Sequence, residues 1–334
     1  MRSWLLRGVT SFLAGLVLAI GLPDPAPAAP AVPAIAGISA HDPSQAAAYF
    51  ASAPAAQIQS LVTAEPVAVG NLDGAPITVR FDANARDDGS RFAGRQVLGY
   101  EPGGDGRVIE VIGDLTTAKR IAIMVPGSDT TLANFDTGLG GVNRRAPAWQ
   151  ARQLATAAGP DTAVVAWLGY DTPHGIGRGA IRSELGQAGA DALVQFLDGL
   201  TIQCPHATIT VIGHSYGTVV LGHAARRLPT TVTDLIAIGS PGMDVDHESD
   251  LHTTARVWAG SDPTDWTLHL PDLRILGAGH GTNPTRPGFG ALPLDVHDAA
   301  GHDGYFVPGT TALASIAAVV NGTTTAVNET AATS

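Results

Sequence analysis

One serine in this chain stands where a hydroxyl could be made reactive. Ser215 lies in the run "TITVIGHSYGT" over residues 208–218. An apolar, β-branched stretch ends at Gly213, and a helix-forming stretch begins beyond Gly217. Gly-x-Ser-x-Gly between a strand and a helix predicts a tight, strained turn that lifts the serine Oγ above the end of the strand. A side chain at either glycine would meet the neighbouring strand or helix. The following helix aims the positive end of its dipole at the serine. A small-residue packing turn is the plainer reading, but it does not explain the strand before and the helix after.

A serine hydroxyl is a weak nucleophile near neutral pH. It needs a base, and the base needs a carboxylate to orient it. With this turn the order along the chain is serine, acid, histidine. Downstream histidines are His223, His247, His252, His269, His280, His297 and His302. His223 sits on the helix behind the turn and points away, and His247 and His252 come too early. His269 and His280 read as loop histidines. His302 lies between the last strand and the last helix, flanked by Gly301 and Gly304, which suits a base at a sheet edge; His297 is second. For the acid, "RVWAGSDPTDW" (256–266) offers Asp262 and Asp265 after the penultimate strand, and spacing does not separate them. Asp244 is a third option. Asp171 precedes the serine and reads as a turn former.

Attack on a carbonyl creates an oxyanion, which two backbone N–H groups must hold. The residue after the nucleophile, Tyr216, supplies one. The loop after "RIAIMV" (120–125) reads Pro126-Gly127-Ser128-Asp129, and Ser128 is the second donor because Gly127 lets the backbone come close.

These residues need a frame that brings them to one edge. Continuous Val/Ile-rich runs at 120–125, 162–170, 208–213, 235–242 and 256–260, most followed by helical spacing, predict strands covered on both faces. The fold class is therefore α/β, a mostly parallel, doubly wound sheet with helices on both faces, whose loops after the strands share one edge. Residues 43–108 form an N-terminal helical extension packed on the core, helical over 43–63 with a break at Pro54, turning at 71–76, and with a possible helix at 91–98. The catalytic domain spans 109–321, and 322–334 is a polar tail; the glycosylation patterns "NGT" (321–323) and "NET" (328–330) lie at its start and within it.

Charge and composition narrow the partners. The net charge of −11 repels phosphate backbones, so no nucleic-acid partner is expected. Arg2, Arg7, the apolar stretch 11–22 and "APA" at 26–28 predict a signal peptide over 1–28, followed by a flexible lead-in at 29–42. The expected location is extracytoplasmic, with no stable membrane span after cleavage. Cys204 is the single cysteine, read as a small buried residue. "DVDHESD" (244–250) alternates carboxylates, but its sixth and twelfth positions, Ser249 and Ala255, are wrong for a calcium loop, so it reads as a solvated acidic turn. Nothing completes a metal shell around His297, His302 and Asp303, and no cofactor is expected.

The chain resembles the actinobacterial α/β-hydrolases grouped as domain of unknown function 1023. The likeness rests on "VGNLDGAP", "VPGSDTTLANF", "WLGYDTP", "GHSYGT", "GSPGM", "RVWAGSDPTDW" and "GHDGYF", and covers roughly residues 43–322. It implies an α/β-hydrolase fold with a Ser–His–acid triad, places the base at His302, and selects Asp265 over Asp262. The expected function is a secreted, esterase-like serine hydrolase acting on a small-molecule or lipid-like acyl substrate. A non-catalytic binding protein on the same fold is the alternative.

Overall fold

The structure is a computed structural model that describes residues 35, 37–87, 91–175, 180, 183–275 and 278–324. The expected signal peptide lies outside these residues, as do much of the lead-in and most of the polar tail. Eight strands form one sheet in the order β1-β2-β4-β3-β5-β6-β7-β10. They are β1 (Gln96–Glu101), β2 (Arg107–Ile112), β3 (Arg120–Val125), β4 (Thr162–Leu168), β5 (Thr208–His214), β6 (Val232–Ile238), β7 (Arg256–Gly260) and β10 (Leu292–Pro293). β8 (Leu273–Ile275) and β9 (Ala278–Gly281) make a separate small hairpin. From β4 to β10 all pairings are parallel, whereas β2 pairs antiparallel with both β1 and β4.

Alternation along the central strands feeds two cores. Ile121, Ile123 and Val125 of β3 face a core closed by residues of α6 (Glu184–Gln203) and α7 (Gly217–Ala224). Ala122 and Met124 face a second core, closed by α5 (Pro147–Ala158) and α8 (Thr311–Val320). A strand wetted on neither face has no polar side to offer, hence its unbroken apolar run. Cys204 is buried, its thiol donating to the Leu115 carbonyl at 3.3 Å, and burial pushes it up to about 11.

Among the described residues, four helices precede the sheet: α1 (Pro43–Ser52), α2 (Ala55–Ala64), α3 (Pro66–Gly70) and α4 (Ile77–Asp87). The break at Pro54 separates α1 from α2. The possible helix at 91–98 is not formed. Phe92 and Arg95 close a turn, and β1 begins at Gln96. Long-range contacts explain the difference: Arg95 makes two hydrogen bonds to Glu110 on β2, at 2.6 and 2.5 Å, and lies over the Phe92 ring. The sheet thus begins at Gln96 and takes in Gln96–Glu101 and the start of β2 at Arg107, within the span 43–108 read from sequence as a helical extension.

That N-terminal layer is tied down by a buried charge. Arg80 of α4 is 4% exposed; it bonds Asp73 at 2.9 Å, the Gly70 carbonyl at 3.2 Å and the Leu98 carbonyl of β1. Asp73 also accepts from Gln195 of α6 at 3.0 Å. Removing one partner of a buried pair strands the other charge. Arg80→Met is therefore expected to lower the unfolding free energy in urea by about 3 kcal/mol or more. A loss below about 1 kcal/mol would show that the pair does not anchor the layer.

Candidate active site

Chain order switches direction at the middle of the sheet, because β3 lies between β4 and β5. Connections leave β3 toward one side and reach β5 on the other, so a crevice opens beyond their carboxyl ends. Val125 of β3 is paired with Gly213 of β5. The loop carrying Ser128 and the turn carrying Ser215 are therefore neighbours.

Ser215 has φ 55°, in the left-handed region that non-glycine residues avoid at a cost of about 1–2 kcal/mol. Its N–H donates to Ile238 at the end of β6 (3.0 Å), and its carbonyl accepts from the Thr218 N–H (3.0 Å) and hydroxyl (2.8 Å). A Cβ at Gly213 would lie 2.9 Å from Gly217 atoms, and one at Gly217 would lie 2.3 Å from the Val125 carbonyl oxygen. One at Gly127 would come within 2.6 Å of the Ser215 Cβ. The three glycines let two loops close on one hydroxyl.

His302 and Asp265 meet across 37 residues of chain. The His302 Nδ1 is 2.9 Å from each carboxylate oxygen of Asp265. Asp265 has no exposed surface. It also accepts from the Tyr305 hydroxyl (2.5 Å), the Thr267 N–H (2.9 Å) and the Thr267 hydroxyl (2.8 Å). Burial opposes its charge, but the hydrogen bonds from His302, Tyr305 and Thr267 outweigh that and hold the carboxyl well below the usual range. With Nδ1–H given to the carboxylate, Nε2 carries the imidazole's free lone pair. The ring packs between His214 and Trp266, with centroids 4.7 and 5.1 Å away. The His214 Nε2–H donates to the His302 carbonyl at 2.8 Å.

Ser215, His302, Ser128 and Tyr216 all line one cavity of about 540 Å³. Among the described residues the Ser128 N–H has no hydrogen-bond partner. The cavity thus brings a hydroxyl, an imidazole oriented by a carboxylate and backbone donors to one lining.

The other candidates occupy different places. Asp262 does not touch His302. Its oxygens accept from the N–H groups of Thr264, Ala300 and Gly301, at 2.8, 3.0 and 3.1 Å, so it shapes the loop that leads into His302. His297 is exposed and pairs with Asp295 at 2.7 Å. Asp171 forms an ion pair with Arg107 at 2.9 Å. Asp244 is not in a solvated acidic turn: it is buried, with φ 59°, and bridges His223 (2.6 Å) and His280 (2.8 Å). Those bonds overcome burial and keep its carboxyl low. His280 is not a plain loop histidine either, for it sits buried in β9 and lines the cavity.

Three further residues complete the site. Tyr305 ties the two acids together, donating to Asp265 and accepting from the Asp262 N–H at 3.1 Å. Trp266 covers His302 while itself 44% exposed. Gly239, with φ 54°, lies beneath the pair, where a Cβ would sit 2.9 Å from the Asp265 Oδ2 and 3.0 Å from the His302 Nδ1. The glycine in "GSPGM" after β6 and the tyrosine in "GHDGYF" are the available sequence signals. Their partners are visible only in three dimensions.

Two outcomes follow. Gly239→Ala should separate His302 from Asp265, so the downfield Nδ1–H resonance expected of that pair in proton NMR should vanish, as it should in Asp265→Asn. A signal unchanged in both would refute the pairing. Burial, with His302 alongside, lowers the His214 imidazole to about 4, against about 6.5 in an unfolded chain. As pH falls the unfolded chain takes up this proton first, so His214 removes stability between about pH 6.5 and 4 and costs nothing above that window. Unfolding free energies at pH 6.5 and 5 should differ less in His214→Gln than in the wild type; an equal difference would count against a neutral, buried His214.

Comparison with known proteins identifies the family. The alpha/beta hydrolase family pattern matches residues 101–275. Uncharacterised protein Rv2079 of Mycobacterium tuberculosis is 30% identical over 284 residues, covering 72% of this chain and 41% of its own. Rv0963c of the same organism is 31% identical over 149 residues, covering 42% of this chain and 54% of its own. The chain thus spans about half or less of these relatives' lengths. Among solved structures, XC6422 from Xanthomonas campestris, described as an a/b serine hydrolase without lid, is 19% identical and covers 52% of this chain and 73% of its own, with TM-score 0.34. A dienelactone hydrolase from Anabaena variabilis is 18% identical and covers 51% and 73%, with TM-score 0.35. These two likenesses are too weak to bear on activity.

Proposed function

The chain belongs to the alpha/beta hydrolase family, and we propose that it is a serine hydrolase that cleaves acyl esters through Ser215, His302 and Asp265. The observation that carries this reading is the buried carboxylate of Asp265 holding the His302 Nδ1–H, with the serine on its strained turn lining the same cavity. Ser215 Oγ attacks the ester carbonyl as its proton passes to the His302 Nε2. The imidazolium that forms is stabilised by Asp265. The backbone N–H groups of Ser128 and Tyr216 hold the oxyanion. As the tetrahedral intermediate collapses, His302 returns the proton to the departing alcohol, leaving an acyl-serine. Water then attacks that ester with His302 as base, and the acid and free serine are released.

The motifs that resemble domain of unknown function 1023 support membership of that subgroup. The positive, apolar and small-residue pattern of 1–28 supports export before the enzyme acts. Apolar walls from Leu139, Trp266 and Leu270 suit a small or lipid-like acyl substrate.

A fluorophosphonate probe should label the wild type and not Ser215→Ala. Asp265→Asn should reduce kcat on a 4-nitrophenyl ester about 10⁴-fold, by leaving the imidazole in the wrong tautomer. Asp262→Asn should lose far less, since Asp262 shapes the loop without touching the ring. Well-folded protein that neither labels nor hydrolyses would instead favour a binding role for the same fold.

A further inference from the structure

One wall of the cavity has a charge that the reaction does not use. Residues 137–146 run over it between β3 and α5, in two short 3-10 turns, and bring Leu139, Arg144 and Arg145 to the lining. Arg145 is committed, its Nε bonding the Asp303 carboxylate at 2.6 Å, and Asp303 is the chain neighbour of His302. The backbone of Arg144 is committed as well, because the buried Gln150 donates its Nε2–H to the Arg144 carbonyl at 2.8 Å. The Arg144 guanidinium is not. It is exposed, and among the described residues it has no carboxylate, carbonyl or aromatic partner.

The other charged lining groups are engaged. Asp303 holds Arg145, and Asp129 accepts the Gly175 N–H at 2.7 Å. His280 is bonded to Asp244 and to the Ala180 carbonyl, and His302 to Asp265. In a chain with net charge −11, this arginine is anchored at its backbone and left without a counter-ion at the cavity. Local helix stability does not account for it, because cations just ahead of a helix, here α5, oppose its dipole. A guanidinium with five donors and no acceptor matches a carboxylate or phosphate. The same loop exposes Leu139 at 44%, and Trp266 stands at the same exposure beside His302, so the mouth pairs apolar surface with one unmatched cation.

We propose that the substrate is an anionic amphiphile, an ester with an apolar part and a carboxylate or phosphate remote from the scissile bond, and that Arg144 selects for the anion. This inference rests on the serine-hydrolase reading. It is tested with matched ester pairs: 4-nitrophenyl hexanoate against mono-4-nitrophenyl adipate for an anion on the acyl side, and phenyl butyrate against 4-carboxyphenyl butyrate for one on the alcohol side. The quantity read is the ratio of kcat/KM, anionic over neutral, in wild type and variants, so intrinsic ester reactivity cancels. A charge-assisted bond predicts that Arg144→Gln lowers the ratio roughly tenfold in at least one pair, mainly through KM, and that Arg144→Glu lowers it further. The wild-type preference should also shrink as salt is raised. Ratios unchanged in both pairs, or equal losses on neutral and anionic members, would overturn the role of Arg144. Failure of the underlying reading looks different: neither ester is hydrolysed, and the fluorophosphonate probe does not label Ser215.

Discussion

A carboxylate with no exposed surface has to be satisfied from within, and the far end of this chain is arranged around that need. Burying an unpaired carboxylate costs several kcal/mol, and Asp265 offsets it with donors from three places: its own turn at Thr267, His302 and Tyr305. The loop between β10 and α8 is thereby held at the carboxyl edge of the sheet. Asp262, one turn earlier, takes the backbone N–H groups of Ala300 and Gly301 and fixes the approach of the same loop. The two acids are divided in labour, one holding a ring and the other a backbone.

Space is as decisive as charge. Gly239 leaves room under the Asp265–His302 pair, and Gly127 leaves room over Ser215. Each glycine is where a backbone must pass within about 3 Å of a reactive group, so no side chain fits. The reversal of strand order between β4, β3 and β5 brings the two loops together in the first place. Local turn chemistry supplies the strained serine, and sheet topology supplies what it faces.

At one wall of the cavity, Asp244 gathers the half-buried His223 and the buried His280 into a second polar cluster, and the His280 ring stands edge-on to Tyr216 at 5.5 Å. This cluster ties α7, the loop after β6 and the β8–β9 hairpin to the residue that follows the nucleophile. Its members are distant in sequence, and Asp244 and His280 lie in segments that look like ordinary polar loops. Reading "DVDHESD" as a solvated turn followed from its composition, which does not reveal that one of its carboxylates is turned inward.

Much of the frame was written in local pattern. Apolar runs of five to nine residues, most of them bounded by Gly or Pro, identify the central strands, and the break at Pro54 separates two helices, because strand and helix periodicities are properties of short stretches. The glycine spacing around Ser215 defines its turn for the same reason. The edge strand β1 was not legible: Gln96–Glu101 becomes a strand only because β2 and Glu110 are there to pair with it. Nor could spacing alone separate Asp262 from Asp265, three residues apart after one strand. That choice depends on which carboxylate meets the His302 ring and which the backbone beside it, and the packing of the whole sheet sets that.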